Sequence, residues 1–300
     1  MPVPPTDPTG RRRRGRRALA TLLLAPVVVL VLLAAGAARG PALAQGDGED
    51  GGGPVPVDVA LVLAVDVSGS MDLNEHRLQR AGYMAALVHP DVIEAIAGGI
   101  LGRIAVTYVE WAGPSSQVVV VPWRVIDGLP AATAFVEALG ARPIAQIRGT
   151  SISGALAFAA ALFETGRVEA TRRVIDISGD GPNNMGPPVV EARDAVVARG
   201  VTINGLPIVL SPSGRGGFGR FWMNPEGLLA YYRGCVIGGP GAFALAVASE
   251  DQLPEAIRRK MVLEIAGRRL PGPIFHLAQT GGPVDCFAGE RLRRPSLPGP

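Results

Sequence analysis

Cysteine, histidine and lysine are scarce in this chain of 300 residues. There are 2 Cys, 3 His and a single lysine, Lys260. Two cysteines are too few for a disulfide-rich scaffold or a cysteine-based zinc site. The lysine is not part of a Gly-x-x-x-x-Gly-Lys-Ser/Thr loop, so a nucleotide site of that kind is excluded. We expect His76, His89 and His276, which are far apart in the sequence, to be structural or surface residues.

Aromatic residues (5%) and charged residues (18%) are also few, whereas hydrophobic residues make up 48% of the chain. That apolar share excludes disorder of the whole chain. The 40 Gly and 27 Pro follow no fixed period, which excludes a collagen-like protein. The length allows one large domain or two small ones.

The N-terminal segment has the three parts of a secretory signal. Six arginines lie within residues 11–17, a nearly unbroken apolar run covers residues 18–38, and Ala-Leu-Ala follows at 42–44. We therefore predict that residues 1–44 are a signal peptide. The alternative is an uncleaved membrane anchor, because a helix of about 20 apolar residues can span a bilayer. In either case we expect the rest of the chain to be exported, to the periplasm or beyond.

The formal net charge of +3 comes from that segment. Residues 45–300 carry 22 basic and 25 acidic residues, a net charge of −3. A mildly acidic chain does not suit a phosphate backbone, so we expect no nucleic-acid partner. Contact with a membrane is expected only through an uncleaved N-terminus.

The remaining chain divides into a flexible linker (45–56), one domain (57–266) and a Pro/Gly/Arg-rich tail (267–300) that we expect to be loose. Within the domain, apolar runs rich in β-branched residues predict strands, and stretches with helical periodicity predict helices. The predicted strands are 57–67, 104–111, 117–126, 173–177, 201–210 and 242–248, and the predicted helices are 74–97, 130–140, 153–164, 187–199 and 251–266.

This alternation of strands and helices predicts a doubly wound α/β domain, with a six-stranded, mostly parallel sheet and helices on both faces. Residues 104–111 and 117–126 are joined by a short turn and predict a hairpin. Pro122 places the second strand of that hairpin at an edge of the sheet.

Polar side chains gather where three strands or loops lead into helices. Asp-Val-Ser-Gly-Ser occupies 66–70, Arg-Gly-Thr-Ser occupies 148–151, and Ser-Gly-Asp-Gly occupies 178–181. In an open α/β sheet these positions share the edge at which ligands bind. The segments offer carboxylate and hydroxyl oxygens but no His or Cys, which favours Mg²⁺, Mn²⁺ or Ca²⁺ over zinc, with Mg²⁺ as the first expectation. The alternative is that these residues are only helix N-caps, since Ser, Thr and Asp are the usual capping residues.

This pattern resembles the metal-ion-dependent adhesion site of von Willebrand factor A (vWA) domains over residues 57–266. All five positions of that motif match, namely Asp66, Ser68, Ser70, Thr150 and Asp180. The resemblance implies a sheet of order 3-2-1-4-5-6 with an antiparallel hairpin strand. It implies that the three hydroxyls bind a divalent cation and that the two carboxylates act directly or through water. It also implies that a protein partner supplies an acidic group to the metal.

The chain is more closely similar to bacterial exported proteins of this fold that have no assigned function. Val-Glu-Trp at 109–111, Ile-Ser-Gly-Asp-Gly at 177–181 and Cys-Val-Ile-Gly-Gly-Pro-Gly-Ala-Phe at 235–243 carry this likeness. One departure from many vWA domains is Gly179, where those proteins have Thr just before the Asp. We expect this difference to change the hydrogen bonds around the site but not the binding of the metal.

Two further acidic residues and one loop are candidates for supporting roles. Glu110, at the end of the second strand, could accept a hydrogen bond from the site, or be an ordinary strand-end charge. Asp176 lies inside an apolar strand, where a carboxylate must be paired, and we expect it near the site. Residues 211–224 form a Gly-rich loop with side chains common at interfaces, which we expect to form a partner-selecting rim or else to fold back onto the core. These side chains are Arg215, Phe218, Arg220, Phe221 and Trp222.

Cys235 and Cys286 could form a disulfide bond in an exported protein. We favour unpaired cysteines, because Cys286 lies in the predicted loose tail. Asn183 and Asn184 are expected to be turn residues.

Three functional classes remain. A metal-dependent protein-interaction module fits best, and the chain is then not an enzyme. A hydrolase or phosphotransferase using the same carboxylates is the alternative, although position 68 is Ser where an Asp-x-Asp phosphotransferase needs Asp, and no Gly-x-Ser-x-Gly elbow occurs. A structural subunit of an envelope assembly is the third.

Overall fold

The computed structural model describes residues 53–210, 224–267 and 284–293. Five strands form one sheet, and they are β1 (Val55–Asp66), β2 (Ile104–Trp111), β3 (Gln117–Ile126), β4 (Val168–Gly179) and β5 (Val201–Pro207). The α-helices of the described residues are α1 (Leu73–Leu87), α2 (Pro90–Ala97), α3 (Leu129–Gly140), α4 (Ile152–Thr165), α5 (Val189–Val197), α6 (Pro225–Tyr231), α7 (Leu253–Ala266) and α8 (Ala288–Arg293).

The strand order is β3-β2-β1-β4-β5, with β2 and β3 antiparallel and all other neighbours parallel. Strand β1 lies at the centre, paired with β2 on one side and β4 on the other. Its apolar run has no polar alternation because both of its faces are covered. The doubly wound α/β fold predicted from the sequence is therefore confirmed.

Alternate residues of β1 pack into two separate cores. Leu61, Leu63 and Val65 belong to the core that also contains residues of α1, α3 and α7. Ala60, Val62 and Ala64 belong to the core that contains residues of α4 and α5. Helices thus cover both faces of the sheet, as predicted, and they fix the end of β1 between two packed layers.

The sixth predicted strand, 242–248, does not form a regular strand. Single parallel bridges join Ala244 to Gly205 and Val247 to Ile208, next to β5. The segment therefore lies where a sixth strand would lie, but Gly239 and Gly241 before it adopt positive φ angles and the pairing is interrupted. Pro122 of β3 lies at the sheet edge, as predicted.

Two differences concern helices. The predicted helix 74–97 is two helices, because Pro90 starts α2 and His89 is its N-cap. The sequence reasoning missed α6 and the π-helical turn that follows it, Tyr232–Val236. No helix within the described ranges is long and apolar enough to cross a membrane. The predicted signal or anchor, 1–44, and most of the predicted linker lie outside those ranges.

Cys235 and Cys286 form a disulfide bond, so the expectation of unpaired cysteines was wrong. Residues 284–293 were predicted as part of a loose tail, yet Val284, Cys286 and Ala288 pack against the core that contains α4 and α5. The sequence reasoning failed here because it treated the tail composition as decisive. The remaining tail residues lie outside the described ranges.

Removing this disulfide should destabilise the protein. The bond closes a sequence separation of 51 residues, and on the chain-entropy model a loop of that length is worth about 4 kcal/mol. We expect the double variant Cys235→Ala/Cys286→Ala to lose about that much unfolding free energy in urea denaturation. Wild type in reductant is the matched control and should lose a similar amount. A variant with an unchanged midpoint would contradict this expectation.

Candidate metal centre

Two carboxylates lie at one edge of the sheet because the strands that carry them are neighbours. Asp66 is the last residue of β1, and Asp180 directly follows β4. Since β1 and β4 are parallel, their carboxyl ends meet at the same edge. The side chain of Asp66 is fully buried, and that of Asp180 is partly exposed.

A continuous chain of hydrogen bonds joins four of the five predicted ligands. The amide of Ser68 donates to Oδ1 of Asp66 at 2.7 Å. The hydroxyls of Ser68 and Ser70 are 2.9 Å apart, and the hydroxyl of Ser70 donates to Oδ1 of Asp180 at 2.8 Å. The turn after β1 and the turn after β4 are thus locked to each other by the side chains that the sequence singled out.

Thr150 joins the same edge through its backbone. Its amide donates to Oδ1 of Asn184 at 3.1 Å, and its carbonyl accepts from the amide of Asn184 at 3.0 Å. Three residues earlier, the amide of Ile147 donates to the carbonyl of Val67 at 3.1 Å. The segment that ends at Thr150 is therefore attached to the turn after β1 and to the loop after β4.

Gly149 permits this attachment. Its φ angle is 93°, in the left-handed region that favours glycine, and a Cβ here would overlap the sulfur of Met185. Any other residue at position 149 would be strained by this backbone conformation and would have to push the side chain of Met185 aside.

Helix capping does not account for these residues. The N-cap of α1 is Asp72, which accepts from the amides of Asn74 and Glu75, and the N-cap of α4 is Ser151, which accepts from the amide of Gly154. Helix α5 follows Pro188 and has no side-chain cap. The alternative that the candidate ligands are N-caps is therefore wrong.

Burial makes the charges of the two carboxylates unfavourable. Burial, followed by the charge of Asp180, raises the pKa of Asp66 well above its ordinary value. Burial raises the pKa of Asp180 from 3.8 to about 6, although the hydrogen bond from Ser70 lowers it. Within the described residues, no Lys or Arg forms an ion pair with either carboxylate.

The donor set fits a hard divalent cation. Oδ2 of Asp66 is buried and has no hydrogen-bond partner among the described residues, so one carboxylate oxygen is available. Three hydroxyls and two carboxylates are oxygen ligands of the kind that Mg²⁺, Mn²⁺ and Ca²⁺ prefer. No group of three or more His, Cys, Asp or Glu gathers in the described ranges, so a zinc-type cluster is not present there.

The structure does not bring Glu110 or Asp176 to this cluster. Glu110 is in register with Val65 and Asp176 with Leu63, so both point to the face of the sheet opposite Asp66. Glu110 forms an ion pair with Arg80 of α1. Asp176 accepts from the hydroxyl of Tyr83 at 3.1 Å, and its Oδ1 lies 2.7 Å from Nζ of Lys260. Asp176 is buried and paired, as expected, but in a different core.

Two asparagines that sequence reasoning treated as turn residues position the site. Asn184 holds Thr150, as described above. The fully buried Asn183 accepts from the amide and the hydroxyl of Ser153 at 3.0 and 3.2 Å, and it donates to Glu290 of α8 at 2.8 Å. Their closeness to Asp180 in the sequence was the only available signal. The predicted rim residues, Arg215 to Trp222, lie outside the described ranges.

Comparison with known families places the chain. Residues 56–269 match a family described as "Protein of unknown function (DUF1194)". The chain belongs to the DUF1194 family. The match covers the sheet and its helices as far as α7. No curated protein matches the sequence of this DUF1194 chain.

Solved structures show the fold. The pilus adhesin SpaC from Lactobacillus rhamnosus GG is 15% identical with a TM-score of 0.51, over 71% of this chain and 32% of its own. A von Willebrand factor type A protein from Catenulispora acidiphila is 17% identical with a TM-score of 0.49, over 70% and 43%. The mussel byssus protein PTMP1, solved with a zinc-occupied MIDAS motif, is 15% identical with a TM-score of 0.45, over 70% and 46%.

The DUF1194 chain thus spans less than half the length of each of these structures. At such low identities the likeness is one of fold alone. The fold is vWA-like, as the sequence resemblance implied.

The raised pKa values predict how stability depends on pH. An aspartate whose pKa is higher in the folded protein stabilises the fold below its unfolded pKa, and this contribution is lost as pH rises through the folded value. For Asp180 that window runs from 3.8 to about 6. We expect the metal-free protein to lose unfolding free energy across this window in urea denaturation, and Asp180→Asn to lose less. Identical profiles for both proteins would contradict the raised pKa.

Proposed function

We propose that this DUF1194 protein is an exported vWA-like domain that binds a divalent cation, in the first place Mg²⁺, and recognises an acidic group of a protein partner. The proposed ligands are the hydroxyls and carboxylates of Asp66, Ser68, Ser70, Thr150 and Asp180. A bound cation would supply the free coordination position at which the partner's carboxylate binds. Export rests on residues 1–44, as argued from the sequence.

The observation that carries the proposal is a contrast between the two faces of the sheet. On one face the buried Lys260 pairs with Asp176 and Glu264, and Arg80 pairs with Glu110. At the other end of this contrast, Asp66 and Asp180 pair with no described Lys or Arg and are joined through the amide and hydroxyl of Ser68 and the hydroxyl of Ser70. Asp66 is buried without a counter-ion, which is costly, and the charge of the partly exposed Asp180 adds to that cost. A bound divalent cation would compensate both charges.

A binding role fits the site better than an enzymatic one. His76, the histidine nearest to the cluster in the sequence, is buried, and burial lowers its pKa, although the backbone of Ser68 and Asp66 beside the ring opposes that shift. Neither ring nitrogen forms a hydrogen bond with a serine hydroxyl of the described residues, which is the contact that activates a serine nucleophile. The part of the site that is open to a ligand is the exposed Ser70 and the partly exposed Asp180. A carboxylate of a partner can approach there.

The cation site is tested by Asp66→Asn, which keeps the shape of the side chain and removes its charge. We expect Mg²⁺ and Mn²⁺ affinity, measured by isothermal titration calorimetry, to fall by at least about 100-fold, more than the loss typical of an outer-shell partner. The metal-free variant should be as stable as wild type or more so, because a buried charge is gone.

The matched control is Asp251→Asn, which changes an exposed carboxylate in the turn before α7. It should bind the cation like wild type. Cation binding by Asp66→Asn that equals that of both proteins would contradict the proposal. Partner binding is read from envelope proteins that wild type retains in Mg²⁺ and releases in EDTA, and that Asp66→Asn does not retain.

We also propose that residues 211–224 form a rim that selects the partner. The segment connects β5 to α6, and β5 ends at the same edge of the sheet as β4. Deletion of residues 212–221 should leave Mg²⁺ affinity unchanged and weaken binding of the Mg²⁺-dependent partner by at least about tenfold, as expected for the loss of aromatic and Arg contacts. Unchanged partner affinity would refute the rim.

A further inference from the structure

Gly179, the departure from the vWA pattern, has no side chain, and the side chains of Asp66, Tyr232 and Trp111 close around the position where a Cβ would lie. A Cβ at this position would lie 2.9 Å from Oδ2 of Asp66, 3.0 Å from the hydroxyl of Tyr232 and 3.3 Å from Trp111. The carboxylate oxygen and the phenolic oxygen therefore converge on one point. The point is the one that a side chain at position 179 would fill.

Neither oxygen has a hydrogen-bond partner in the described part of the chain. Oδ2 of Asp66 and the hydroxyl of Tyr232 are both buried and make no hydrogen bond to the described residues. The whole side chain of Tyr232 is buried. Since a buried hydroxyl without a partner is destabilising, phenylalanine would serve the packing of this site better than tyrosine. The hydroxyl of Tyr108, in the opposite core, also has no described partner, so what distinguishes the hydroxyl of Tyr232 is its position beside the candidate ligand Asp66.

An unusual helical turn carries the tyrosine. Tyr232 begins the π-helical turn after α6, in which the amide of Ile237 donates to the carbonyl of Tyr232 at 2.9 Å. Such turns occur frequently at functional sites. The same turn carries Cys235, whose disulfide bond ties it to Cys286.

Two glycines of neighbouring strands make room for the tyrosine. A Cβ at Gly205 of β5 would lie 2.5 Å from the ring of Tyr232, and Gly179 at the end of β4 borders its hydroxyl. Gly205 is in register with Ile177, two residues before Gly179, so both glycines face the same side of the sheet. Together they form a slot, which we call the glycine slot, that runs from β5 to Asp66.

We propose that Tyr232 is a positioning residue of the cation site. Its hydroxyl donates a hydrogen bond through the glycine slot to Oδ2 of Asp66 by way of one water, and holds the carboxylate in place for the cation. This inference rests on the cation site of the proposed function.

The test compares cation affinity and metal-free stability in Tyr232→Phe. We expect the Mn²⁺ and Mg²⁺ dissociation constants, measured by calorimetry, to rise by about tenfold or more, the loss typical of a group that orients a ligand. The urea midpoint of the metal-free variant should stay the same or rise, because the buried hydroxyl had no partner. A purely structural tyrosine would give the opposite result: lower stability and unchanged affinity.

The matched control is Tyr108→Phe, a buried tyrosine in the core on the opposite face of the sheet. It should leave the affinity for Mn²⁺ unchanged. A second variant, Gly179→Ala, places a methyl group between the two oxygens and should also weaken binding. Because both variants interrupt one interaction, the loss in Gly179→Ala/Tyr232→Phe should be smaller than the sum of the two single losses.

The possible results distinguish a failure of the role of Tyr232 from a failure of the cation site. If wild type binds Mn²⁺ and Tyr232→Phe binds it equally well, the role of Tyr232 is refuted while the cation site stands. Additive losses in the double variant would also refute it, because the two residues would then act independently. If wild type does not bind Mn²⁺ or Mg²⁺, the cation site is refuted and the role of Tyr232 falls with it.

Discussion

The structure of this site depends on one buried carboxylate, that of Asp66 at the end of the central strand. The fold places it between two packed layers, where its charge is unfavourable, as the raised pKa reflects. The amide of Ser68 satisfies one of its oxygens, and the other is left without a described partner. Such a group must hold a proton or meet a cation. The other parts of the site follow from that requirement.

The surrounding structure makes this carboxylate rigid without neutralising it. The amide and hydroxyl of Ser68 and the hydroxyl of Ser70 link it to the turn after β4, and Asn184 holds the segment of Thr150 against the same turn. On the opposite face, Lys260 pairs with Asp176 and Glu264, and Arg80 pairs with Glu110. The two faces of one sheet thus have different tasks. One holds internal ion pairs, and the other ends in carboxylate and hydroxyl oxygens that pair with no described Lys or Arg.

The sequence predicted those features that are local in the chain. The apolar runs of β1 and β4 showed two buried parallel strands, and the polar residues directly after them had to share an edge, so the four hydrogen-bonded ligands could be named without a structure. Features that depend on distant segments were missed. The role of Tyr232 depends on glycines at positions 179 and 205, and the disulfide depends on a tail segment returning to the π-helical turn. The prediction of a strand at 242–248 was wrong because this segment forms only single bridges, and its composition does not reveal the interruption.

The most direct test of the account is a crystal structure of the protein grown with Mn²⁺, with the ion located by its anomalous scattering. The account predicts one strong Mn²⁺ peak at the edge of the sheet, with the hydroxyls of Ser68, Ser70 and Thr150 in its coordination sphere and the carboxylates of Asp66 and Asp180 bound directly or through water. A structure in which the ion is elsewhere, or in which these side chains lie too far apart to share one ion, would contradict it.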